Sequence, residues 1–166
     1  MNYEYYMQLA LEQAEHALAK GEFPVGCVIA TDGKILATGA RKGTTDNGGN
    51  EIDHAEMLAL RHLIDSEAHT DQAEMVAFCT MEPCLMCFGA LILAGIDKVV
   101  FAYEDVMGGG TTCEISKLKP LYKRSPIVVV PNILRAESLK LFKIFFSNPD
   151  NSYWEKSLLA EYTLRQ

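Results

Sequence analysis

The chain has 166 residues, 49% hydrophobic and 22% charged, with a formal net charge of −7. That length predicts one domain, residues 1–166, with a real hydrophobic core, and the composition is not that of a disordered or fibrous chain. No apolar run approaches the roughly 18 residues a membrane helix needs, and Met1-Asn2-Tyr3-Glu4 lacks the basic-then-apolar pattern of a secretory signal, so a cytoplasmic protein with no membrane contact is expected.

Hydrophobic spacing divides the chain into elements. Leu9, Leu11, Ala14, Ala17 and Leu18 recur at helical intervals, so residues 3–20 read as an amphipathic helix ended by Gly21. Two apolar runs, 25–30 and 34–38, flank Thr31-Asp32-Gly33, a hairpin signal. A loop rich in Gly, Asn and Thr follows at 41–52. Helices are then predicted at 54–66, 84–94, near 114–122, at 133–147 and again after Pro149, with a helical tail from about 133. Strands are predicted at 76–80, 98–103 and 127–130. A hairpin followed by β-α units implies an α/β fold, three layers with helices on both faces of a mixed five-stranded sheet. In such sheets, sites gather beyond the carboxyl ends of strands, where helices begin.

Five cysteines, Cys27, Cys79, Cys84, Cys87 and Cys113, favour metal ligation or free thiols over a disulfide framework. The charge is uneven. Residues 1–115 hold 6 Lys and Arg against 18 Asp and Glu, and residues 116–166 hold 9 against 4. An acidic body argues against broad nucleic-acid binding. Lys117, Lys119, Lys123 and Arg124 keep a local RNA contact open, beside the plainer reading of a solvated face.

Two motifs sit at predicted helix starts: His54-Ala55-Glu56 and Pro83-Cys84-Leu85-Met86-Cys87. Together they match H-x-E…P-C-x-x-C, the pattern of zinc deaminases. Cys84 and Cys87 share one helix face, and Pro83 suits a first helical position. Both thiols then lie near the positive end of the helix dipole, which favours thiolate. With a neutral His54 nitrogen they make three ligands for one zinc ion per chain, leaving a fourth tetrahedral position for water. Residues two apart on a helix point to nearly opposite sides, so His54 and Glu56 converge only at a helix tip. Glu56 is then the expected proton carrier between water and leaving amine. Each piece has a duller reading: Asp53 to Glu56 also spells a capping box, and the cysteine pair also suits a redox motif or a closed structural zinc site. The redox reading gives no role to His54 and Glu56, and the capping reading gives none to the cysteines.

At these residues the chain resembles the cytidine/deoxycytidylate deaminase superfamily, in the branch of tRNA adenosine, guanine and cytosine deaminases. The likeness runs from about residue 5 to 105. Phe23-Pro24-Val25-Gly26-Cys27 is similar to the P-x-G-A segment bordering the base pocket, and Thr80 to Cys87 followed by Gly89-Ala90 to the L-E-P-C-x-M-C-x-G-A stretch. The resemblance implies a cytidine deaminase-like fold, zinc on His54, Cys84 and Cys87, and Glu56 as proton shuttle. It also implies base contacts from Pro24, Gly26 and Cys27, a polarising Cys84 amide, and backbone near Glu82 accepting from the departing amino group. A homodimer or higher homo-oligomer follows from it too. The expected substrate is a nucleobase, free or as nucleoside or nucleotide, with adenosine in a tRNA loop as the alternative. Two positions depart from the pattern: Arg41 stands where many members have a substrate-binding Asn, and Asp53 precedes the His. Arg41 offers planar donors to phosphate, carboxylate or a base edge, unless it faces solvent, and Asp53 could accept from an amino group. Asn47 or Asn50 is a candidate replacement for the missing Asn. Among the C-terminal aromatics, Phe142 and Phe145 are expected in the core and Trp154 as a lid over the pocket. The tail lacks the arginines that follow the double Phe in tRNA-acting members.

Overall fold

The protein is represented by a computed structural model that describes residues 1–45, 49–66 and 74–166. Asn47 lies outside the described residues. Helix α1, Tyr3–Leu18, is capped by Asn2, whose side chain accepts from the Tyr5 amide, and is followed by Gly21 at φ +77°. Strands β1, Gly26–Thr31, and β2, Lys34–Ala40, form the predicted hairpin, with Gly33 supplying the positive φ of the turn. Next come α2 (Ala55–Asp65), β3 (Val76–Met81), α3 (Leu85–Leu93) and β4 (Lys98–Tyr103). Then follow α4 (Pro120–Lys123), β5 (Val128–Val130), α5 (Arg135–Ser147) and α6 (Leu158–Arg165).

The five strands make one mixed sheet in the order β2-β1-β3-β4-β5. β1 runs antiparallel to both β2 and β3, while β3, β4 and β5 are parallel. Alternation along β1 sorts the two faces. Val28 and Ala30 pack with Tyr6, Met7 and Ala10 of α1, and Cys27 and Ile29 pack with Ala55, Ala59 and Leu63 of α2 and Phe88 and Leu91 of α3. The three-layer expectation holds. Phe142 and Phe145 are buried in the second cluster, as their helical spacing implied.

Gly26 has a packing role. A Cβ there would lie 2.1 Å from the Ala10 carbonyl oxygen and 2.6 Å from the Ala14 nitrogen, both backbone atoms of α1. Only a residue without a side chain lets α1 rest this close to β1. Gly26→Ala is therefore expected to cost about 3 kcal/mol, the upper part of the usual overpacking range, read as a lower urea midpoint at unchanged m. An unshifted midpoint would show that the close approach is not real.

Several local expectations are corrected. The helix near 114–122 is instead a 3-10 turn at Ile115–Lys117 and the single-turn α4, because Pro120 holds the preceding Lys119 extended (ψ 160°). α5 begins at Arg135, not 133, since Leu134 takes a left-handed conformation (φ 54°). The helix after Pro149 starts only at Leu158, capped by Ser157. Arg135 binds the Glu104 carboxylate through Nε and Nη2, and Tyr162 donates to the same group at 2.7 Å. This cluster ties α5 and α6 to the end of β4. The Arg135 hydrogen bond, with burial opposing it, holds Glu104 down at about 2.

Candidate active site

Antiparallel pairing places the start of β1 between the end of β3 on one side and the end of β2 on the other. Gly26 pairs with Ala40, the Gly26 amide donates to Thr80 Oγ1 at 2.9 Å, and the Arg41 amide donates to the Val25 carbonyl at 2.8 Å. Segments far apart in sequence thus meet at one end of the sheet, where α2 and α3 also begin.

His54 is the N-cap of α2, in extended conformation (ψ 155°), and Glu56 is two residues inside the helix. Leaving the helical period at residue 54 lets two side chains that would otherwise diverge face the same site. Cys84 holds the same position before α3 (ψ 170°), with Cys87 three residues on. Pro83 accordingly precedes the cap and is not the first helical residue. Neither side chain makes the usual capping hydrogen bond. The capping box is corrected too, because Asp53 is not the cap and instead accepts from Asn50 Nδ2 at 2.8 Å.

The three expected ligands converge. His54 Nδ1 lies 3.6 Å from Cys84 Sγ and 3.4 Å from Cys87 Sγ, and the three donor atoms all fall within 4.8 Å of one another. A tetrahedral zinc with Zn–S near 2.3 Å and Zn–N near 2.0–2.1 Å requires an N···S edge of about 3.6 Å, so this donor set fits the ion. No other His, Cys, Asp or Glu joins the cluster among the described residues, as an open catalytic site requires. Cys79 is held instead in the core, with its Sγ 3.9 Å from that of Cys27. A hydrogen bond from Cys87, against the opposing effect of burial, pulls the Cys84 thiol down to about 4. That same bond, then burial, pushes the Cys87 thiol up, and a thiol gives up its proton on ligating a metal. On the outer side of the imidazole, His54 Nε2 is 3.9 Å from Glu51 Oε2, placed to orient the ring.

Glu56 is 3% exposed, with Oε2 3.5 Å from Cys87 Sγ, and burial raises its carboxyl above the usual range. A pocket with about 480 Å³ of empty space opens over His54, Glu56 and Cys84. Phe23, Val25, Ala55 and Met81 form much of its apolar wall; Arg41, Glu82, Asp105 and Gly108 add polar groups, and Tyr153 and Trp154 complete the lining.

The remaining expected residues divide. Arg41, Glu82 and Trp154 line the pocket, whereas Pro24, Gly26, Cys27 and Asp53 do not. Asp53 is turned away, with Oδ1 3.9 Å from Arg61 Nη1. The solvent reading of Arg41 is overturned, since its side chain is only 2% exposed. Glu82 has a structural task, accepting from the Asp105 amide and from Thr111 Oγ1 at 2.5 Å, which folds the 105–111 segment against the site. Asp105 and Glu51 were missed, and Tyr153, one of the C-terminal aromatics, lines the pocket beside the favoured Trp154. The Asp105-x-x-Gly108 spacing was a visible turn signal, and Asp105 Oδ1 indeed accepts from the Met107 and Gly108 amides. Glu51 had no signal, because its partners Arg41, His54 and Tyr153 come from three separate segments.

The family described as cytidine and deoxycytidylate deaminase zinc-binding region matches residues 1–103. This chain belongs to that family. The deaminase is 33% identical over 142 residues to a tRNA-specific adenosine deaminase of Streptococcus pyogenes serotype M18, covering 86% of this chain and 88% of the relative. Solved structures agree on the fold. One, from work on A-to-I editing by tRNA:A34 deaminases, superposes with TM-score 0.64 at 24% identity, over 82% of this chain and 98% of the other. A guanine deaminase from Nitrosomonas europaea superposes with TM-score 0.68 at 20% identity, over 86% and 83%. The deaminase is an enzyme: water replaces an exocyclic amino group of a purine or pyrimidine base, and ammonia leaves. No helix among the described residues is long and apolar enough to cross a membrane.

Proposed function

We propose that this deaminase, one domain holding one zinc ion per chain, acts on a small nucleobase, nucleoside or nucleotide in the cytoplasm. The observation that carries this reading is the position of Tyr153 and Trp154. Their rings stack at 5.0 Å and 11°, pack against Phe23, and line the pocket beside the zinc cluster. An aromatic cover suits a ligand small enough to be enclosed, and it excludes water from the reacting centre. The acidic body of the chain also supports a substrate without a long polyanionic backbone.

Zinc held by His54, Cys84 and Cys87 would supply the Lewis acidity that activates water near neutral pH. Glu56 takes a proton from the attacking water and delivers it to the leaving amine, so the base gains an oxo oxygen as the C–N bond breaks and ammonia departs. The residues around the site hold the ring and keep bulk water out.

A second reading, adenosine deamination within tRNA, is supported by the 33% identical relative of that name and by the basic residues Lys117, Lys119, Lys123 and Arg124. Exposed apolar side chains on α3 (Leu85, Leu93), in the 105–108 turn (Val106, Met107) and on α4 (Leu121) support a homodimer or larger assembly.

The test is ammonia release by the zinc-loaded protein, weighed by light scattering, from cytosine, guanine, adenosine, their nucleotides and an adenosine-bearing tRNA anticodon stem. Turnover on at least one small substrate is expected, faster than on RNA. Turnover on RNA alone would replace the first reading by the second, and a monomer mass would remove the assembly.

A further inference from the structure

Arg41 carries an unanswered hydrogen bond. Its backbone is fixed at the end of β2 by the bond to Val25, and its Nη2 donates to Glu51 Oε2 at 3.2 Å. Its Nη1 is buried with no partner, the one such side-chain nitrogen or oxygen among the described residues. Buried polar groups are almost always paired, and this one belongs to a residue that lines the pocket. Glu51 Oε2 also lies 3.9 Å from His54 Nε2, so the guanidinium and the imidazole flank a single carboxylate oxygen. Arg41 lines the same pocket as His54, Glu56 and Cys84, so a ligand seated over the zinc cluster shares that pocket with the guanidinium.

The surroundings select the kind of acceptor. Glu51 already balances the guanidinium charge, and Glu56, Glu82 and Asp105 line the same pocket. A phosphate or carboxylate placed there would face Glu51, Glu56, Glu82 and Asp105, with the guanidinium charge already matched by Glu51 and a zinc charge matched by the Cys84 and Cys87 thiolates. A neutral carbonyl oxygen satisfies the free N–H without adding charge.

We propose that Arg41 is a specificity-determining residue whose Nη1 donates to an oxo group of the base, so that the substrate class is a neutral amino-oxo heterocycle. This rests on the deaminase reading of the same pocket and names its substrate more closely. Removing an acceptor that answers a buried donor weakens binding by about 5- to 150-fold.

Trp154, the chain's single tryptophan, lines the pocket, and its fluorescence reports binding without reference to turnover. Zinc-loaded protein is mixed with cytosine or 4-aminopyrimidine, which lacks the oxo group, and quenching is read in the first milliseconds. Cytosine is expected to bind at least about 5-fold more tightly. Guanine is expected to exceed adenine by a similar factor. Arg41→Met is expected to remove both preferences, and Arg41→Lys to restore part of them. If Arg41→Met fails to fold, the analogue comparison in the unmodified protein and the Lys variant still decide. Equal binding of oxo and deoxo bases would overturn the proposal. So would a nucleotide whose phosphate contributes an Arg41-dependent gain, or an absence of quenching by every base. Ammonia release with adenine as the preferred substrate would overturn it while leaving deamination intact. An Arg41-dependent oxo preference without ammonia release would uphold it while removing the deaminase reading.

Discussion

Glu56→Ala is expected to retain zinc at the level of the unmodified protein and to lower kcat by about 10²- to 10⁴-fold, the contribution usual for a positioned acid-base group. The expectation comes from two separate facts. Glu56 stands outside the three-donor cluster, so its loss removes no metal ligand. It is also buried in the pocket, where burial raises its carboxyl above the usual carboxylate range, the direction that suits a group that must both take and give a proton. Metal content by mass spectrometry and ammonia release on the best substrate of the panel measure the two halves. Turnover within a few-fold of the original would remove Glu56 from the chemistry, and loss of zinc would make it a ligand.

The second large effect belongs to the metal. Cys84→Ala leaves one imidazole and one thiolate, too few to hold a tetrahedral ion with an open position. Even outer-sphere changes cost 10- to 100-fold in metal affinity, so loss of this thiolate is expected to exceed 100-fold and to abolish turnover. Cys113→Ala is the control, because Cys113 lies outside the cluster, and it is expected to keep stoichiometric zinc. The clusters on both sheet faces are built from apolar side chains of other residues, so far-UV circular dichroism should change little in either variant. Stoichiometric zinc in Cys84→Ala would refute the ligand assignment.

The zinc cluster was legible because its information is local. His54 and Glu56 lie two apart, Cys84 and Cys87 three apart, and each pair occupies one helix start, so short-range geometry aims the side chains once the helices form. The sheet was legible for the same reason, from the period of β1 to β4 and the Asp32-Gly33 turn. Gly26 carries a packing task that the family likeness did not name: its lack of a side chain answers to α1, sixteen residues back at Ala10. The helix expected near 114–122 failed because spacing was weighed above the proline that interrupts it.

By itself, the sequence determined the α/β layering and the meeting of His54, Cys84 and Cys87 near Glu56, all written in periods and intervals of a few residues. Tertiary structure alone decided which polar groups line the pocket. Arg41, Glu51 and Tyr153 are brought together by strand pairing and chain return across about a hundred residues, and no local rule foresees such a meeting. Burial then left one nitrogen of an ordinary arginine, Nη1 of Arg41, without a partner. Charge and exposure are properties of surroundings, and surroundings exist only once the chain has closed on itself.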